Sequence, residues 1–533
     1  MNLDWSNLMS GPELVVLDRK IWIVDRINLK NMNKNIWILI MGFFLFQACL
    51  DDEGNYSYSD LLPIEIDSSK MSNSYRITQL DYLVVDPEVK QGVDDSNLSY
   101  EWRIFQESNM PNSETGKVVN DVVGQERKLN YKVTTPPGEY TLSFTVTDKQ
   151  NGVSEVISRK LYVESFASVG LMVMHGDADS TDVSILVNDR IVSDATMDGV
   201  KHNIFSITNG RRAVGAPGMV AYVNNTHNVY VYTKGNAGGF RTRGSDLEVL
   251  DTYAEMFTEP LESSNIDFQG YNSWLYNDLL VNGGKVYFAG QATTTFTKFG
   301  VPVFGVEYYA EPFIGIQERG YYYGIFYDRL QRRFLYVDYS KTAKTFKEAG
   351  ASAAFDMNNV GKDMVYAEHG FEKKWYCVMR DPANVAEYSV YVCDFSKMDD
   401  GNRGVGKYSA SGCTDMKDAK AFAVGNRSEL LYYATTTEVK QCNFKDGGTS
   451  TLRFTLPTEL TQAGYEISML YLFKVSGKEN EGKLLYIGVY NPTTEEGKLL
   501  ECPIVETSGE ILKDKVKTYD GFKKITHMAY KSK

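Results

Sequence analysis

The chain has 533 residues, 56 Lys and Arg against 69 Asp and Glu, and a formal charge of -13. A body this acidic excludes a basic nucleic-acid-binding face, and the length exceeds one ordinary domain. Apolar residues make up 43% and aromatics 13%. Short alternating apolar runs outnumber long helical periods, so an all-β chain is expected.

In chain order, residues 1–31 fit no scheme and read as a miscalled start or an extension, with translation beginning at Met32. Residues 32–48 read as a lipoprotein signal peptide. Lys34 precedes an unbroken apolar run of eleven residues, Ile36 to Phe46, too short to span a bilayer. Small Ala48 then precedes Cys49, which is read as the lipidation site. Phe46 stands where a lipobox usually has Leu. Several acyl chains on one cysteine give stable anchoring where one chain would not. Residues 49–60 form an acidic tether. Its run Asp51, Asp52 and Glu53 beside the cysteine is read as an export signal to the cell exterior.

Residues 61–164 alternate strands and turns at the pace of an immunoglobulin-like sandwich. Leu98, Tyr100, Trp102 and Ile104 share one face of a strand, with Ser99, Glu101 and Arg103 on the other. Tyr140, Leu142, Phe144 and Val146 repeat the pattern after a Pro136-Pro137-Gly138 turn. The run Gly138 to Asp148, GEYTLSFTVTD, resembles the G-x-Y-x-L-x-x-x-V-x-D strand of PKD-type domains, and Tyr100-Glu101-Trp102 resembles their Y-x-W strand. The segment Cys49 to Tyr58, CLDDEGNYSY, is similar to the mature start of the PKD-like outer-membrane lipoproteins of Bacteroidota. That resemblance implies an accessory role in a Sus-like nutrient-uptake locus, beside a TonB-dependent transporter and its lid lipoprotein. It supplies no catalytic residue.

From 165 to 533 the pattern changes to hairpins around Gly- or Asn-centred turns, repeating at roughly 40 to 60 residues, the spacing of propeller blades. The expected pairs are Leu171–Met174 with Val183–Val187, Met219–Val223 with Asn228–Tyr232, and Leu279–Val281 with Lys285–Ala289. They continue with Tyr321–Tyr327 and Arg333–Val337, Ala354–Met357 and Met364–Ala367, Trp375–Met379 and Ser389–Cys393. Ala421–Val424 with Leu430–Ala434 and Met469–Val475 with Leu484–Val489 complete the series. About seven units result, with Ile525–Tyr530 meeting the strand near Leu171 to close a β-propeller-like domain. The other reading of this region is a pair of β-sandwiches.

No catalytic motif stands out, so the chain is expected not to be an enzyme, and no cofactor is indicated. The five histidines, His175, His202, His227, His369 and His527, are scattered and read as structural. Asp177, Asp179 and Asp182 resemble a calcium loop in spacing, but Asp182 stands where an EF-hand needs Gly and Asn188 where it needs Glu. A solvated hairpin turn is expected there, and no metal site. Cys377, Cys393, Cys413, Cys442 and Cys502 form no CxxC pair. Buried free thiols are expected, with one disulfide possible in an exported protein.

Aromatic residues crowd the middle of the chain. Phe268, Tyr271, Trp274, Tyr308, Tyr309 and Tyr322 are the candidate ligand-binding residues, with Trp274 foremost. Loop aromatics on a rigid scaffold recognise sugars or peptide side chains; inter-blade packing is the competing explanation. The sequence therefore points to an outer-membrane, lipid-anchored surface protein that binds a peptide or glycan and contacts no nucleic acid. The alternatives are a propeller hydrolase acting on glycans through a carboxylate pair, or a purely structural partner of the transporter.

Overall fold

The computed structural model describes residues 64–532 apart from 91–94, 108–117, 166, 168, 194, 196–197, 236–237, 262–268, 275–276, 291–295, 317–321, 397–400 and 414. The signal, Cys49 and the acidic tether lie outside the described residues, as does Phe268.

The first body is a β-sandwich. One sheet orders Ser74–Thr78, Ser154–Glu164, Gly138–Asp148, Leu98–Phe105 and Asn120–Gly124 side by side. Two further strand pairs, Tyr82–Val85 with Leu129–Lys132 and Glu65–Asp67 with Glu88–Lys90, complete it. The alternation seen in the sequence is the burial pattern: Leu98, Trp102 and Ile104 are buried, with Ser99 exposed between them. Trp102 stacks on Phe144, ring centroids 4.3 Å apart, and its indole N–H donates to the Glu126 carbonyl at 3.0 Å. The Tyr140 hydroxyl donates back to the Pro136 carbonyl at 2.8 Å, pinning the turn that feeds its strand.

The second body is a ring of seven blades. Each blade is an open sheet built outward from an innermost strand, antiparallel except where the short edge strand Phe304–Gly305 of blade 4 pairs in parallel with Thr342–Thr345. In blade order 2 to 7 these inner strands are Pro217–Val223, Gln269–Trp274, Ala310–Gly315, Asp363–His369, Ala421–Val424 and Glu466–Leu472. Blade 1 differs. Its inner strand is the C-terminal Lys524–Lys531, paired with Gly170–Gly176 from the start of the domain. Leu171 faces Tyr530 in that register. Every inner strand touches the next, and that of blade 7 touches that of blade 1, so the ring is complete.

The packing follows from the period of two. Along Gly170–Gly176 every residue is buried. Leu171 and Val173 enter the core shared with blade 7, while Met172 and Met174 enter the core shared with blade 2. The same split sends Tyr432 toward blade 7 and Tyr433 toward blade 5. Successive side chains of a strand point to opposite faces, and in a ring of blades both faces meet a neighbour. Seven apolar clusters result, one per blade interface. The paired-sandwich reading is thereby excluded.

Two details differ from the sequence reading. Residues 354–357 form no strand: Met357 and Phe355 are contributed to the blade 4–5 core from a loop, and Asp363–His369 pairs instead with Trp375–Arg380. The outer strands, such as Thr449–Thr455 and Lys517–Phe522, were not anticipated.

The two bodies meet through a buried polar joint. Gln79 Nε2 donates to Asp246 Oδ2 at 3.0 Å, and Arg243 Nε donates to Asp246 Oδ1 at 2.9 Å. Gln79, Arg243 and Asp246 are all buried. A buried carboxylate with this many donors is satisfied.

Candidate functional site

The sequence-selected aromatics do not assemble into a recognition surface among the described residues. Tyr308 is buried between blades 3 and 4, its hydroxyl donating to the Val303 carbonyl at 2.7 Å. Tyr322 is buried between blades 4 and 5 against Tyr336, centroids 4.2 Å apart. Both are core residues, because inter-blade packing needs large flat side chains. Tyr309 is half-buried, with the Arg329 guanidinium 5.1 Å from its ring centroid. Tyr271 and Trp274 lie on the inner strand of blade 3; their side chains fall outside the described set.

A large cavity lies instead on the axis. It measures about 880 Å³ and is walled by six inner strands, those of blades 1, 2, 4, 5, 6 and 7. Phe313, Tyr366, Phe422 and Tyr471 bring rings to its wall. Tyr366 stands edge-on to Phe313 at 5.6 Å and stacks on Phe422 at 5.4 Å. A second cavity of about 780 Å³ opens where the inner strands of blades 4 to 7 end, and the two share Ala367 and Glu368. Channel and basin thus meet at a single carboxylate.

Glu368 is the hub. One carboxylate oxygen pairs with Lys474. The other accepts from the Tyr366 hydroxyl at 2.9 Å and from the Val424 N–H at 2.9 Å. Lys474 also donates to the His369 carbonyl at 2.8 Å. Blades 5, 6 and 7 are therefore tied together at the channel floor. Burial, with the Glu368 charge second, pushes the Tyr366 phenol well above its ordinary range. Three donors fix the carboxylate in place, so this hub can position and bind.

The histidines act in the same way. The inner edge of an inner strand has no partner strand, so its amides need other acceptors. His527 Nδ1 accepts from the Val220 N–H at 3.4 Å, and His369 Nε2 accepts from the Ile316 N–H at 2.9 Å. His369 Nδ1 faces the Lys373 carbonyl at 2.9 Å and must carry the proton. Burial pulls the His527 imidazole down to about 4, with Glu368 opposing. His175, outside the channel, is pulled down to about 3, mainly by burial, and sits 2.8 Å from Ser184 Oγ.

The acidic cluster is divided. Asp177 caps its own turn through Ser180, while Asp182 is fully buried, within 3.8 Å of Arg212. Asp182 is thus no part of a solvated turn. Among the described residues no group of three His, Cys, Asp or Glu could hold a metal ion, and no helix is long and apolar enough to cross a membrane. The hub was missed in the sequence because Glu368 and His369 end an apolar strand as an ordinary polar boundary would. Their partners Val424, Lys474 and Ile316 lie on three other blades.

Residues 49–217 match the profile of the PKD-like family. That match begins at Cys49 and runs past the sandwich into blade 1 and the first residue of blade 2. No curated protein matches the chain in sequence. Among solved structures, it is similar to a quinonprotein alcohol dehydrogenase-like protein from Bacteroides thetaiotaomicron. They are 10% identical, the alignment covers 88% of this chain and 99% of that one, and the TM-score is 0.48. Synechocystis apocarotenoid oxygenase aligns over 86% of this chain and 97% of its own, at 9% identity and TM-score 0.36. A DUF4784 family protein from Bacteroides caccae aligns over 86% and 95%, at 8% identity and TM-score 0.25.

Proposed function

We propose that this chain is an outer-membrane lipoprotein, anchored through Cys49 and facing the cell exterior, whose propeller captures a peptide or glycan in its axial channel. It serves a TonB-dependent transporter and its lid lipoprotein as an accessory binding protein, and it is not an enzyme. The observation that carries the binding role is the channel. It offers about 880 Å³, aromatic walls, and one fully coordinated carboxylate at the junction with the basin. Pockets of this size that combine rings with a few fixed polar groups are the usual form of a ligand site. The PKD-like match beginning at Cys49 supports the anchor, since it starts at the residue read as the first of the mature chain.

The binding role is tested by titrating peptide and glycan libraries against the full chain and a Phe313→Ala variant. Phe313 is half-buried at the channel wall. Its loss should weaken binding of the ligand found by about five- to thirtyfold, the range for an aromatic anchor worth roughly 1–2 kcal/mol. Unchanged affinity would place the ligand elsewhere. The anchor is tested by membrane fractionation of expressing cells: Cys49→Ala should leave the membrane pellet, and retention there contradicts lipidation at Cys49.

A further inference from the structure

Five cysteines follow Cys49, and all five are buried. Two of them meet. Cys413 lies in the crossover from blade 5 to blade 6, and Cys442 lies on Glu438–Asn443 of blade 6. Their sulfur atoms are 3.1 Å apart. The crossover is firmly seated at this point: Gly412 bridges to Thr449, and the Cys413 N–H donates to the Ala410 carbonyl at 3.0 Å. Cys413 Sγ also lies 3.2 Å from the Gly448 carbonyl and 3.3 Å from that of Thr449. A disulfide bond is about 2.05 Å long, so bond formation asks the sulfurs to approach by only about 1 Å.

We propose that Cys413 and Cys442 form a disulfide that staples the blade 5–6 crossover onto blade 6. The other cysteines are placed less favourably. Cys377 faces Tyr391 across its strand pair and Cys393 faces Trp375, so the two cysteines are diagonal neighbours, although their thiols also hydrogen-bond. Diagonal positions are about 7–8 Å apart, beyond the Cα separation that a disulfide tolerates. Cys502 lies on Glu496–Pro503 of blade 7 and packs in the blade 6–7 core.

The step is a two-electron exchange with a small-molecule or protein disulfide, R–S–S–R. The Cys413 thiolate attacks that disulfide and expels one R–S⁻. The Cys442 thiolate then attacks the Cys413 sulfur and expels the second. The two protein thiols lose their protons, the two leaving thiolates gain them, and two R–SH are released. Hydrogen bonding from Cys442 pulls the Cys413 thiol down, and the same contact with burial pushes Cys442 up, which makes Cys413 the first nucleophile. Only 4% of Cys413 and 1% of Cys442 is exposed. The exchange therefore occurs while the chain folds, and the closed bond is then shielded from reductant.

The inference is independent of any ligand in the channel. The full chain is refolded with oxidised and reduced glutathione, then denatured in the presence of N-ethylmaleimide without reductant, digested and mapped by mass spectrometry. The expected product is one linked pair of peptides carrying Cys413 and Cys442, two hydrogens lighter than the thiol forms, with Cys377, Cys393 and Cys502 labelled. Label on both Cys413 and Cys442, or a bond from either to another cysteine, overturns the proposal. In a second measurement, wild type refolded under oxidising conditions should melt about 5 °C or more above wild type refolded fully reduced. Cys442→Ser should show no such difference. A difference of the same size in Cys442→Ser counts against this bond as its source.

Discussion

The imidazoles of His175 and His527 are held neutral by what surrounds them. His527 Nδ1 accepts from the Val220 N–H, and His175 Nδ1 accepts from the Lys523 N–H at 3.2 Å. Protonating either Nδ1 would set two donors face to face inside the protein. Burial adds to this, taking His175 to about 3 and His527 to about 4, against an unfolded value near 6.5. Both native values lie below the unfolded one. Above pH 6.5 the two groups are neutral in both states and their contribution is fully present. As pH falls from 6.5 toward 4, the unfolded chain takes up protons that the native chain refuses, and stability drops. The loss is on the order of 5 kcal/mol for fully buried His175 once its native value is passed, and smaller for half-buried His527, whose ring lines the channel. Glutamine at 527 keeps an acceptor for Val220 and cannot titrate. His527→Gln should therefore lose less stability than wild type between pH 7 and pH 4.5 in denaturant titrations; identical losses would show that His527 already carries a proton. The structural role of these residues could be read from their scatter in the sequence, but the amides they satisfy could not. Val220 and His527 are 307 positions apart, and no local pattern records such a pair.

Strand hairpins show the opposite balance between sequence and structure. The pair Asn277–Asn282 and Lys285–Gly290 was legible because Gly283-Gly284 sits between two apolar runs, and both glycines have positive φ, 57° and 79°. Outer strands were not legible, since they are half-exposed and polar; Thr449–Thr455 buries little but Phe454. Residues 354–357 failed for the converse reason. A loop lends Phe355 and Met357 to the core, and loop residues drawn into a core mimic a strand. The turn at Gly284 carries a further demand. A Cβ there would come within 2.5 Å of the Tyr309 ring. At Gly361 the φ of 69° is similar, yet nothing lies within 4 Å of the added atom. Gly361→Ala should cost about 1 kcal/mol, the backbone penalty alone. Gly284→Ala should cost about 2–4 kcal/mol, because the ring must also move. Chemical denaturation of both variants checks this, and equal costs would mean that Tyr309 gives way freely.

At the scale of the whole molecule, the architecture was legible and the channel was not, for one physical reason. A ring of blades is a repeat, so its pattern recurs along the chain and closure can be anticipated from a spare strand at each end. Its axis is assembled from one short strand per blade, and each contributes only one or two polar groups to it. Glu368 and His527 come to line one cavity, and Glu368 and Lys474 the other, only after the ring has closed. That closure rests on Lys524–Lys531. The strand pairs with Gly170–Gly176 over most of its length, and it buries Ile525 and Met528 completely or nearly so in the blade 7–1 core. Removing it would expose the paired edge of a fully buried, mostly apolar strand and open the channel wall on one side. An unpaired apolar edge is a template for association with other chains. Truncation after Lys523 should therefore yield protein that aggregates or lacks a cooperative melt. The milder Ile525→Ala leaves the strand in place and removes buried side-chain volume, at an expected cost of about 2–5 kcal/mol. Size-exclusion chromatography and thermal melts of the two variants separate the contributions. A monomeric truncated chain with a wild-type melting temperature would mean that blade 1 holds with its four remaining strands and that the C-terminal strand is dispensable to the ring. Aggregation of the truncated chain, beside a folded but weakened Ile525→Ala, assigns the strand its role as the closing seam through its backbone pairing more than through its side chains.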